Sequence, residues 1–176
     1  MVQDERYPIG PFNLPENVTK AHIEQWIEEI KMLPQRLRFV LEGCNERDLS
    51  STYRDKGWTV KQLVHHLADS HMNSFIRFKL GLTEDIPTVK PYDENAWAEL
   101  PDAHLPIEVS LNILGGVHYR WSVLLESMTE EQWTRTFNHP ENGLTRLDQC
   151  LAHYAWHSNH HLAHIKAALK KAKLTS

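Results

Sequence analysis

Three features of this 176-residue chain predict an all-α fold. The expected architecture is a four-helix bundle with a long connection between its second and third long helices and short extra helices. Apolar residues recur at helical spacing in four long segments, the pattern of helices that each bury one face. Threonines stand where helical segments are expected to begin, and two of them, Thr59 and Thr129, have Gln three positions later. Seven of the nine prolines fall in two stretches, residues 1–18 and 83–106, which excludes long helices there.

Residues 1–18 hold Pro8, Pro11 and Pro15 and read as an extended arm lying on the domain or on a partner. Thr19 can cap a first helix with the stripe Ile23, Trp26, Ile27, Ile30, Leu33, Leu37, Val40 and Leu41. Pro34 inside this pattern should kink or split it, and Gly43 fits its end. Residues 45–57 read as a polar connection. Thr59 and Gln62 form a capping box for a second helix, from Val60 to about Leu80, with Gly81 near its C-cap. Its stripe is Val60, Leu63, Val64, Leu67, His71, Phe75 and Phe78.

Within residues 83–106 a short helix fits around Asp93–Leu100. At 24 residues this connection exceeds what a bundle needs, and it reads as a lid over a site, carrying Tyr92 and Trp97. A third helix runs from Ile107 to about Met128 and buries Leu111, Leu114, Val117, His118, Trp121, Leu124 and Leu125. Its Gly115-Gly116 pair weakens it and allows close approach by another helix. Thr129 and Gln132 cap a short helix, and Phe137–Thr145 reads as a turn or hairpin with Asn142-Gly143 at its tip. Thr145 is then expected to cap the last helix, since neither Pro nor Gly occurs from Leu144 onward. Trp26, Trp58, Trp121 and Trp156 are expected in the core.

Composition narrows the function. Length suits a single domain over residues 1–176, and 41% hydrophobic with 24% charged residues is ordinary for a globular protein. A net charge of −4, with no Lys/Arg run, argues against nucleic-acid binding. The N-terminus lacks a signal-peptide pattern and no apolar run approaches a membrane span, so a cytoplasmic location is expected. Cys44 and Cys150 alone make no disulfide framework and read as small buried hydrophobes.

Five of the 12 histidines, His153, His157, His160, His161 and His164, fall between Leu151 and Ile165. At 100° per residue, His161 lies about 40° and His157 about 80° from the centre of the buried stripe. His164 and His160 lie about 100° and about 140° away. His157 and His161, at i and i+4, are spaced to hold one divalent metal ion, and His160 with His164 is a second such pair. A third ligand could come from His65 or His66, between which helical phasing does not decide. His71 and His153 read as packed, hydrogen-bonded or exposed residues, and His118 as a helix-interface residue. Asp69, three residues after His66, is the one candidate general base, though a partner orienting a ligand or a surface charge fits it as well. Arg54, Arg77, Tyr92 and Trp156 are candidates to line a substrate pocket.

The run Trp58-Thr-Val-Lys-Gln-Leu-Val-His-His-Leu-Ala-Asp69, with the late His157-x-x-x-His161, resembles the DinB-like superfamily. More closely it is similar to the YfiT group of Bacillus, a likeness extending over Tyr7–Pro11, Tyr53–Asp55, Trp58–Lys79, Pro91–Glu94 and the final helix. The resemblance places the second-helix ligand eight residues after the Trp, on His66, and the late pair on His157 and His161. It implies a four-helix bundle, commonly a homodimer, holding one divalent ion per subunit, zinc or nickel, with coordination positions open to water or substrate. It implies an enzyme acting on a small molecule, either a metal-dependent hydrolase or an S-transferase using a low-molecular-weight thiol such as bacillithiol. More distant relatives use mycothiol, among them a maleylpyruvate isomerase.

Three neutral imidazoles leave the charge of a bound ion uncompensated. Such a centre can lower the pKa of bound water to ~7 or deprotonate a thiol. No His-Glu-x-x-His motif occurs, and no acid lies within a turn of His157 or His161, which favours the thiol. The alternative is a non-catalytic bundle with a structural metal or a small-molecule binding role. Coordination separates the two, because structural zinc is normally closed by four protein ligands.

Overall fold

The structure, a computed structural model, describes residues 4–174. The first three residues of the arm and the last two of the chain lie outside the described residues. Four long helices form the bundle: α1 (Lys20–Leu41), α3 (Val60–Thr83), α5 (Ile107–Glu126) and α7 (Leu147–Leu174). Between them lie the short helices α2 (Glu46–Leu49), α4 (Glu94–Ala98) and α6 (Glu130–Trp133), a 3₁₀ turn at Pro101–His104, and the hairpin β1 (Thr136–His139) and β2 (Gly143–Arg146).

The caps lie where the residue types put them. Thr19, Thr59 and Thr129 each accept a hydrogen bond from the backbone N–H three residues on, as does Asn45 at the start of α2. α2 lies in the stretch read as a polar connection, because four residues are too few to show a period. Pro34 does not divide α1, which continues through it. Proline has no N–H, so the carbonyl of Ile30, one turn earlier, loses its helical donor. That carbonyl receives instead a hydrogen bond from His118 Nδ1 on α5, at 2.5 Å. Gly81 is not a cap either. α3 runs past it to Thr83, and a Cβ at this position would stand 3.1 Å from Leu147 Cδ2. The glycine there permits the approach of α7. Gly115 and Gly116, by contrast, have no neighbour within 4 Å of where a Cβ would stand, so among the described residues no close approach depends on them. Thr145 belongs to β2, opposite Phe137, because strand pairing holds the backbone extended to Arg146.

Each long helix packs on two others. α5 and α7 both lie against α1 and against α3, so that α1 and α3 stand diagonally, as do α5 and α7. The long connection after α3 therefore joins adjacent helices, and the segments leading to α3 and to α7 make the diagonal crossings. The core divides in two. One cluster contains Leu33, Leu37, Leu63, Leu67, Leu114 and Leu162; the other contains Ile30, Phe78, Trp121, Leu147 and Leu151. Buried His71, His118 and His157 fall between the two clusters along α3, α5 and α7. Trp121 is in the core, whereas Trp26 and Trp58 pack at its edge and Trp156 lies under the arm.

Leu151 has no exposed surface, and Leu151→Ala leaves a cavity beside Leu147 and Trp121. The expected loss is about 2–5 kcal/mol in urea unfolding with an unchanged m value. A loss below ~1 kcal/mol would mean that this cluster is loosely packed.

Candidate metal centre

α3 and α7 lie side by side, which brings His66 towards the His157–His161 face of α7. One ring nitrogen from each of these three residues lies within 4.8 Å of the other two. His66 Nε2 and His157 Nε2 are 3.2 Å apart. Two nitrogens on a tetrahedral zinc, at Zn–N distances of 2.0–2.1 Å, stand about 3.3 Å apart, so this spacing fits a shared ion. His65 points elsewhere: its Nδ1 meets Ser110 Oγ at 2.7 Å and its Nε2 the Leu105 carbonyl at 3.0 Å. That engagement separates two adjacent histidines that phasing left equal.

A second group, His160, His161 and His164, also lies within 4.8 Å and shares His161 with the first. His164 is otherwise engaged: Nε2 lies 3.2 Å from the Glu5 carbonyl, Nδ1 lies 3.5 Å from His161 Nδ1, and its ring stacks on Tyr53 at 3.9 Å. His160 stacks on Trp156, and Trp156 donates to the Gly10 carbonyl at 3.2 Å. His160 and His164 are buried despite facing away from the bundle centre, because the arm runs over the outer side of α7. A wheel centred on the core does not include that second cover.

Behind His157 stands a row of imidazoles. His157 Nδ1 lies 3.2 Å from His71 Nε2, and His71 Nδ1 lies 2.9 Å from His118 Nε2. The row ends at the Ile30 carbonyl. The sequence placed His71 and His118 inside the bundle without revealing that they form one chain.

Burial decides the charge state of the centre. It pushes the His66 and His118 imidazoles down to about 4, and those of His71, His157 and His161 well below 6.5, with neighbouring imidazoles adding to the effect on these last three. The rings are therefore neutral at pH 7, with lone pairs available to a metal. Half-buried Asp69 moves the other way. Burial, and secondarily the charge of Asp102, raises its carboxyl to about 6.

Cavities meet the centre from several sides. The one reaching His157 is about 570 Å³ and is lined by Phe12, Arg77, Tyr92, Phe137 and Tyr154. A smaller cavity reaches His66 and carries Asp69 and Tyr92 on its wall. A third, with Arg54, opens onto His161. Arg54, Arg77 and Tyr92 thus line space next to the three histidines. Trp156 does not, being held by Gly10 and His160.

Fold and site together define a helical bundle with a buried polyhistidine centre beside a cavity of small-molecule size. The chain belongs to the DinB superfamily, whose family model matches residues 29–165. It is 49% identical to a protein of Halalkalibacterium halodurans over 97% of this chain and 99% of that one. It is 50% identical to one of Bacillus cereus over 97% and 98%. Both bear the provisional name of metal-dependent hydrolase. Among solved structures it is similar to YfiT from Bacillus subtilis, with a TM-score of 0.91 and 44% identity over 95% of this chain and 97% of that one. That protein is described as a probable metal-dependent hydrolase with an unusual four-helix bundle topology.

The neutral histidines make stability depend on pH. An unfolded histidine takes a proton near pH 6.5, whereas folded His66 and His118 take one only near 4. Their contribution is fully present above pH 6.5 and is lost as pH falls towards 4. Each costs about 1.4 kcal/mol per pH unit within that window. Thermal unfolding of metal-stripped protein at pH 7.5, 5.5 and 4.5 should show a steepening fall in Tm. A flat profile would mean that water reaches the imidazoles.

Proposed function

We propose that this protein is a divalent-metal-dependent enzyme acting on a small molecule, with His66, His157 and His161 as the ligands of one ion per subunit, zinc or nickel. The observation that carries this reading is the convergence of three neutral imidazoles, His66 and His157 buried and His161 half-buried, next to a cavity of about 570 Å³. A structural zinc site would call for a fourth protein ligand. Neither metal-capable group among the described residues contains one, which supports a centre with an open position. A bound ion supplies Lewis-acid activation of water or of a thiol.

The rest is done by the chain. Phe12, Phe137 and Tyr154 narrow the water around the substrate, and Arg77 and Tyr92 offer it polar contacts. Asp69, with its carboxyl raised to about 6 on the wall next to His66, is placed to accept a proton from an attacking water near neutral pH. This supports hydrolysis, in keeping with the relatives' names. A second reading is S-transfer from a low-molecular-weight thiol such as bacillithiol. It is favoured by the absence of any carboxylate from the histidine groups among the described residues, since a thiolate needs no base once formed.

The protein is further proposed to act in the cytoplasm as a homodimer, without nucleic-acid or membrane partners. No described helix is long and apolar enough to cross a membrane. On α5, exposed Val109, Ile113 and Val123 share a side with the open Gly116, an apolar strip suited to a second copy. Light scattering should give twice the chain mass, reduced to one by Ile113→Glu.

Elemental analysis of purified protein should give about one zinc or nickel per chain, lost in His157→Ala together with turnover. Wild type and Asp69→Asn are then compared on ester and amide substrates and on conjugation of a thiol to monochlorobimane. Hydrolysis that falls about 10²–10⁴-fold in Asp69→Asn supports the water reading. Conjugation unaffected by Asp69→Asn, without hydrolysis, supports the thiol. A metal retained by His157→Ala would sink the ligand set and shift attention to His160 and His164.

A further inference from the structure

The buried row behind His157 has a direction, and that direction can be worked out from one end. Ile30 O is a carbonyl and can only accept, so the proton between it and His118 Nδ1, 2.5 Å away, belongs to His118. A neutral imidazole carries a single N–H. His118 Nε2 is then a bare lone pair, and the proton in its 2.9 Å contact with His71 Nδ1 must come from His71. By the same step His71 Nε2 is bare, and the proton in its 3.2 Å contact comes from His157 Nδ1. His157 Nε2 is left with its lone pair directed at His66. All three rings are buried, so water offers no ready substitute for these bonds.

We infer that Pro34, His118 and His71 are positioning residues that hold His157 as its Nδ1–H tautomer, with Nε2 ready to bind a metal ion. The device begins in α1. Pro34 has no N–H to give Ile30, which leaves that carbonyl for His118 and explains why a proline sits inside an unbroken helix. Each long helix contributes one member: Ile30 from α1, His118 from α5, His71 from α3 and His157 from α7. The inference rests on the reading of His157 as a ligand. It adds that the ligand's proton is placed by groups two residues further into the bundle, none of which touches the metal or the substrate.

The test uses full-length protein labelled with ¹⁵N-histidine and, separately, zinc affinity measured against a chromophoric chelator. In long-range ¹H–¹⁵N spectra of metal-free wild type, His118, His71 and His157 should all appear as Nδ1–H. An Nε2–H signature at His157 overturns the inference. This spectrum needs no metal, so it stands even if the metal reading fails, and a wild type that binds no zinc sinks that reading alone.

His71→Phe removes the acceptor and His71→Gln restores one, since the amide oxygen can occupy the place of Nε2. With helicity by circular dichroism confirming both folds, zinc Kd should rise about 10–100-fold in His71→Phe and stay near wild type in His71→Gln. A folded His71→Phe with wild-type affinity overturns the inference, as does a His71→Gln that loses as much as Phe. If His71→Phe does not fold, the tautomer spectrum of wild type decides.

Discussion

Everything in this bundle is arranged around a polar line through the middle of an apolar core. Burying an imidazole without partners costs several kcal/mol, and here His71, His118 and His157 are buried in succession. The structure meets that cost by letting each ring satisfy the next, down to a carbonyl that a proline has set free. The apolar clusters on either side then act as clamps. Leu67, Leu114 and Leu162 press from one side, and Trp121, Leu147 and Leu151 from the other, so that all four helices are held in register with the histidines.

This arrangement also sets the electrostatics of the centre. Desolvation keeps the rings neutral, which suits them to a cation, and neither histidine group among the described residues includes a carboxylate. Asp69 shares the wall of a cavity with His66 and holds its own proton more tightly than usual. The N-terminal arm completes the enclosure. Its Phe12 lies edge-on to His153 at 5.1 Å, and its backbone carbonyls engage Trp156 and His164. Membership of the DinB superfamily accounts for the fold, while the chemistry must be sought in these particular side chains.

The sequence carried most of the fold because helical periodicity and capping are local. The four long segments, the three threonine caps and the hairpin were legible from spacing alone, though its turn is residues 140–142 and Gly143 already belongs to β2. Local rules misled where a tertiary contact overrode them. Gly81 looked like a helix end but makes room for Leu147, and Thr145 looked like a cap but pairs within a hairpin. Pro34 looked like a break, yet its missing bond is answered from another helix. α2 was too short to leave a periodic trace.

For the candidate site, the sequence by itself determined the inventory: histidines one turn apart on the last helix, two adjacent histidines on the second, and few acids nearby. Likeness of sequence motif pointed to His66, but phasing could not, since both His65 and His66 lie well off the buried stripe. Only the tertiary structure separated their surroundings, by giving His65 to Ser110 and the Leu105 carbonyl and bringing His66 to His157. It alone also joined His157 to Ile30 through two rings. The reason is physical: a helical wheel records direction around one axis, whereas hydrogen-bond partners are fixed by how four axes pack together.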